Sequence, residues 1–174
     1  MSRTNLLLAL ALILSATLLA GCGAAVVSAD YTDPFAYCDA VGTVDAPGEQ
    51  YTGPAVPEAV ARGLQAALNA PDIPFEILQS GSVWRCMDGQ VYACFVGANL
   101  PCEAKVNTDK TPGQDAIDFC QANPDSDFVP AVATGRETVY EWRCTGGTPE
   151  VVRQVSEPDA QGFFSEIWYE IGEE

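Results

Sequence analysis

The sequence predicts an α+β fold: an antiparallel β-meander of about five strands, two or three short helices, and disulfides that staple them together. Three observations predict it. Several stretches alternate apolar and polar residues at the strand period, separated by glycine- and proline-rich turns. A few segments open on a proline or a capping side chain and then carry helical spacing. Seven cysteines occur among 174 residues, with no histidine to share metal-binding or catalytic work with them. An apolar content of 48% is enough for one core, and the length suits one domain once processing segments are set aside.

Taken in order, Arg3 precedes an apolar run over residues 6–14 that continues through Leu18 and Leu19 and closes on small residues. This is the make-up of a signal-peptide core, too short and too early for a permanent membrane span. Its end, Leu19-Ala20-Gly21-Cys22, resembles the lipobox of bacterial lipoproteins at every position. The resemblance implies a diacylglycerol thioether on the Cys22 sulfur, cleavage before Cys22 by the lipoprotein signal peptidase, and usually a further acyl group, such as palmitate, on the new amino terminus. The alternative is a plain secretory signal followed by an incidental cysteine. Two or three acyl chains, at about 0.8 kcal/mol per buried CH₂, hold a protein durably at a bilayer where one does not. Gly23 is not the aspartate that retains many enterobacterial lipoproteins in the inner membrane, so that sorting rule permits the outer membrane. Residues 23–30 then form a short tether of small residues.

Asp33 and Pro34 read as the cap and first position of a helix that ends near Gly42. The stretch 47–57 is loop, and Pro57 opens a second helix with Val60, Leu64, Ala67 and Leu68 on one face. A hairpin follows, strands 82–87 and 90–96 around Asp88-Gly89, a pair that accepts positive φ at both central residues. Thr111, Pro112 and Gln114 resemble a capping box and predict a third helix running to Ala122, stopped by Asn123-Pro124. Three alternating stretches, 136–144, 150–156 and 163–171, then read as an antiparallel meander. In the first of them Thr138, Tyr140, Trp142 and Cys144 face one way, and Glu137, Val139, Glu141 and Arg143 the other. In the last, both faces carry aromatics, which predicts either helix packing over the second face or an exposed binding strip containing Trp168.

With Cys22 assigned to lipid, Cys38, Cys86, Cys94, Cys102, Cys120 and Cys144 remain. An even number in an oxidising compartment favours three disulfides; a metal cluster would need CxxC pairs or histidine, and neither occurs. An internal echo selects among the connectivities. Tyr37-Cys38 is followed by Trp84-Arg85-Cys86-Met87-Asp88-Gly89, and Phe119-Cys120 by Trp142-Arg143-Cys144-Thr145-Gly146-Gly147. If each half closes on itself, Cys38 pairs with Cys86 and Cys120 with Cys144, leaving Cys94 for Cys102. The expected organisation is a signal peptide at 1–21, the lipidated cysteine and tether at 22–32, and one stapled domain at 33–174. Residues 33–102 and 111–174 would be the halves of a degenerate duplication.

Charge and composition exclude several functions. Eight basic against 24 acidic residues give −16, and losing Arg3 with the signal leaves −17, so nucleic acid is repelled and basic partners are favoured. The field also opposes any grip on anionic lipid beyond the acyl anchor. Without histidine, Ser-His and Cys-His nucleophile pairs are absent and a hydrolase would need two carboxylates. Glu137 with Glu141, and Glu166 with Glu170, share strand faces, but four residues of strand hold them roughly 13 Å apart. Asp125-Ser126-Asp127 after Asn123 offers oxygen ligands without the EF-hand pattern, so capping and turn formation account for it; no metal or cofactor is expected. Thr145-Gly146-Gly147-Thr148 reads as a hairpin turn, and Lys105 and Lys110 as solvated loop residues. Trp84, Arg85, Trp142 and Arg143, with Trp168, are the candidate binding surface, because tryptophan and arginine dominate interface energetics; the competing role for Trp84 and Trp142 is to anchor the core.

Several segments together, among them Asp33-Pro34 through Cys38, Trp84 to Gly89, Thr134 to Cys144 and the stretch 159–169, resemble an uncharacterised group of cysteine-rich bacterial envelope proteins. That resemblance implies no activity. The stretch 140–147 is also similar to the Tyr-x-Cys-x-x-Gly hairpin of membrane-bound lysozyme inhibitors, which are small all-β barrels without the helices expected here. The expected function is a non-catalytic binding or structural module, exported and lipid-anchored through Cys22, with a protein or glycan partner in the envelope. The alternatives are an inhibitor of a basic protein such as lysozyme and, more remotely, a carboxylate-dependent glycan hydrolase.

Overall fold

A computed structural model describes residues 30–96 and 100–173; Cys22 and the signal lie outside the described residues. Helix α1 (Pro34–Val41) starts where its capping residues place it. The Asp33 carboxylate accepts from the Ala36 amide at 2.7 Å, and Pro34 supplies a preset φ. Gly42, at φ 76°, ends the helix by donating to the Cys38 carbonyl. Helix α2 (Glu58–Ala67) follows Pro57 and buries Val60, Ala61 and Leu64. Its inward face is centred one residue earlier than expected, so Ala67 is exposed and Leu68 only half-buried. Helix α3 (Phe75–Ser80), which the sequence reading missed, is bracketed by Pro74 and Gly81; six residues are too few to show a period.

Strands β1 (Ser82–Met87) and β2 (Gln90–Phe95) pair antiparallel through a turn with Asp88 at φ 53° and Gly89 at φ 81°. Helix α4 (Gln114–Ala122) is capped by Gly113, and the expected capping box does not form. The Thr111 amide donates to Asp109 Oδ1 in an Asx turn, and the Gln114 side chain donates to Asp118. After the short α5 (Ala131–Thr134) come β3 (Tyr140–Thr145) and β4 (Thr148–Gln154), joined through Gly146 and Gly147 at φ 57° and 83°. Trp142 and Cys144 are buried and Arg143 is exposed, as alternation requires. The register shift between Glu141 and Trp142 breaks the pattern upstream, where Val139 is buried.

The fold is the expected disulfide-stapled α+β class with five antiparallel strands, but they divide into a sheet of order β1-β2-β5 and a separate β3-β4 hairpin. The stretch 163–171 does not continue the meander beside β4. Only Tyr169–Ile171 is strand (β5), and it pairs with β2. Phe163, Phe164 and Trp168 are all at least 93% buried, which no single strand face can achieve. The chain turns instead at Asp159, whose carboxylate accepts from the Gln161 and Phe163 amides, and passes through a 3₁₀ turn at Ser165–Ile167.

Three disulfides close the structure: Cys38–Cys86, Cys94–Cys102 and Cys120–Cys144, the pairs the internal echo selects. The two longer ones are built alike. In each, a cysteine on a helix meets the first strand of a hairpin, with Cα atoms 5.2 and 5.3 Å apart. The second turn glycine donates to the carbonyl four residues beyond the helix cysteine, Gly89 to Gly42 and Gly147 to Pro124. The strand cysteine amide donates to the carbonyl six residues beyond the helix cysteine, Cys86 to Val44 and Cys144 to Ser126. Tryptophan precedes the strand cysteine by two residues in both and lies in the core. Three disulfides of this kind mark an oxidising compartment outside the cytoplasm. Among the described residues no helix is long and apolar enough to cross a membrane.

Candidate functional site

The two Trp-Arg-Cys units do not come together as one exposed surface. Trp84 and Trp142 are 3% and 5% exposed and anchor separate cores. Trp84 packs edge-on against Tyr37 and Tyr51 and donates its indole N–H to the Ala55 carbonyl at 2.7 Å; the Trp142 indole donates to the Thr138 hydroxyl. Of the two arginines only Arg143 is exposed, on the wet face of β3, paired with Glu150 at 3.2 Å. The Glu150 carboxyl is held below its usual range by hydrogen bonds from Thr145 and then Arg143.

Arg85 is fully buried, the outcome the strand pattern did not foretell. Its guanidinium lies 4.4 Å from the Phe163 ring centre and 4.3 Å from that of Trp168. It forms an ion pair with Asp159 and donates to Gln161 Oε1 at 2.7 Å. Burial pushes the Asp159 carboxyl upward, and the hydrogen bonds from Arg85, Phe163 and Gln161 more than reverse that, so it titrates below the ordinary carboxylate value. Arginine suits this position because its flat, weakly hydrated cation stacks between rings while still bonding a carboxylate at its edge. The cluster binds the 159–168 segment to β1.

Beside this cluster lies a half-open pocket of about 380 Å³, within the size range of small-ligand sites. Its lining is drawn from Ser82, Val83 and Trp84 of β1, from Phe163 and Trp168, from Ala46, Pro47, Ala55 and Val56 of the long loop, and from Cys102 and Glu103. The Ser82 hydroxyl is turned away, donating to the Leu78 carbonyl. At the rim Lys105 pairs with Asp45 at 2.6 Å, donates to the Gln161 carbonyl at 2.6 Å and sits 3.8 Å from the Phe163 ring centre. Lys105 is the exposed loop residue expected, and it also ties three segments together through these contacts. The other Asp45 oxygen accepts from the Gln161 side chain. Glu103, exposed at the same rim, has no hydrogen-bond or ion-pair partner among the described residues.

Three of the four carboxylates weighed as strand-face pairs are engaged elsewhere. Glu141 pairs with Arg153, Glu166 accepts from the Ser156 hydroxyl and Glu170 from the Tyr92 hydroxyl. In the 123–127 loop Asn123 and Ser126 bond backbone carbonyls, as turn residues do, and Lys110 lies over the Tyr140 ring. The pocket itself was missed in sequence: its residues come from five separate segments, and no local spacing links Asp45 to Glu103 or Trp168. Trp84 and Trp168, two of the five residues expected as a binding surface, do line it, and the doubly aromatic stretch 163–171 pointed towards it. Comparison with protein-family models, with curated proteins and with solved structures finds no match.

Proposed function

We propose that this chain is a lipid-anchored lipoprotein of the bacterial envelope whose disulfide-stapled domain is a non-catalytic binding module. The observation that carries the reading is Leu19-Ala20-Gly21-Cys22 at the end of an apolar run, followed by a short tether that reaches the domain at Asp33. The three disulfides support the export that a lipobox requires. A pocket walled by apolar and aromatic groups, with its ionic groups only at the mouth, supports binding as the domain's work. The test is mass spectrometry of the peptide that begins at Cys22, taken from the native host. Its mass should include diacylglycerol, and Cys22→Ala should move the protein from the membrane to the soluble fraction; a bare, unmodified peptide overturns the anchor.

A second reading, antagonism of a basic protein such as lysozyme, is favoured by the charge of −17 from residue 22 onward. It requires association that weakens steeply with salt. A domain that shows no salt-sensitive binding to lysozyme or to other basic envelope proteins rules it out.

A further inference from the structure

We propose that the 380 Å³ pocket is a receptor site for a small organic cation, its aromatic or branched aliphatic body seated against Val83, Trp84 and Trp168 and its positive group at the mouth beside Glu103. The inference deepens the binding-module reading and rests on it. The charge count at the pocket gives the sign of the ligand. Arg85 is neutralised by Asp159 and Lys105 by Asp45, which leaves the Glu103 carboxylate as the uncompensated charge among these groups. Lys105, the cation of the lining, is engaged by Asp45, the Gln161 carbonyl and the Phe163 ring, and Arg85, packed against Phe163 and Trp168 outside the lining, is fully buried, so neither is placed to receive an anion. The negative field of the whole domain acts in the same direction, concentrating cations and repelling anions. The walls set the shape. The Ser82 hydroxyl and the Trp84 indole N–H are satisfied by backbone carbonyls, which leaves the buried Trp168 indole N–H as the unpartnered side-chain donor of the lining, so the interior offers mostly apolar contact, which suits a hydrocarbon body over a sugar.

Three probes of matched shape separate these terms: phenethylamine, 2-phenylethanol and 3-phenylpropanoate, titrated by ligand-observed NMR into the oxidised, detergent-solubilised chain purified from its exporting host. The expected order is cation, then neutral, then anion, with about fivefold in affinity between the first and last at low salt, the scale of one exposed charge interaction. That spread should narrow as salt is raised. Glu103→Lys, at an exposed position, should invert the preference, and Ala46→Trp, which fills the mouth from an exposed loop position, should abolish binding of all three. Absence of binding by every probe, equal affinities for the three, or binding that both variants leave unchanged overturns the proposal. Those outcomes leave the anchor and any macromolecular partner to be read separately, from the Cys22 peptide mass and from affinity capture, so failure of the pocket assignment is distinguishable from failure of the binding-module reading.

Discussion

Arg85 and Asp159 show how much one buried pair can govern. Removing one partner of a buried ion pair leaves a charge without compensation, which costs about 3–5 kcal/mol, whereas removing both costs much less. Asp159→Asn is therefore expected to destabilise by that amount in urea unfolding, and the double variant Arg85→Met with Asp159→Asn to be more stable than Asp159→Asn alone. The pH dependence follows from the same bond. The Asp159 carboxyl titrates below its ordinary 3.8 in the folded protein, so its contribution is complete above that value and disappears as pH falls from there through the folded value. Urea midpoints measured from about pH 6 to about pH 2 should fall more steeply in the native protein than in Asp159→Asn. Arg85 sits in an aromatic, β-branched strand, where a charged residue reads as solvent-facing. Its burial depends on Phe163, Trp168 and Asp159, more than 70 residues away, and no local pattern carries that information.

Among the elements, α2 and β5 pack closely at Gly63. A Cβ at Gly63 would come within 2.5 Å of Ile171 Cγ2, a branched side chain that is itself buried. Helix propensity favours Gly63→Ala by at most about 1 kcal/mol, while forcing a methyl group into a packed contact costs about 1–3 kcal/mol. Thermal melting should therefore show a net loss. The disulfides rank by the chain they close. Loop entropy for separations of 48, 24 and 8 residues gives about 4, 3.5 and 2.5 kcal/mol, so paired Cys→Ser changes at Cys38–Cys86 should lower the urea midpoint most and those at Cys94–Cys102 least. Elements with a chemical start and stop were legible in sequence: α1 from Asp33-Pro34 to Gly42, and both hairpins from their positive-φ turns. The start of α4 was misread because Asp109 captures the Thr111 amide that a capping box would have left to the helix. The partner of β5 was misread because alternation gives a strand its faces and not its neighbour.

For the molecule as a whole, charge is the dominant global term. The ion pairs formed by Arg62, Lys105, Arg143 and Arg153 are substantially exposed and each is worth no more than about 1 kcal/mol, too little to offset the self-repulsion of a −16 chain. The melting temperature should accordingly rise between about 10 mM and about 150 mM salt, measured by calorimetry, because screening relieves repulsion more than it weakens those pairs. Folding class and compartment were readable from spacing and cysteines, but the pocket belongs to this scale: five segments meet there only once the chain is closed. The pairing of β5 with β2 has a kinetic side. Ile171 fills the core of the first half, beside Val60, Leu64 and Val91, although it is made some eighty residues after β2. During vectorial synthesis or threading through an export channel, Cys38 and Cys86 emerge early enough to oxidise while that half still lacks its third strand. A nascent chain interrupted before residue 169 would present an open sheet edge over an unfilled hollow, a form that chaperones and proteases can tell from the finished product.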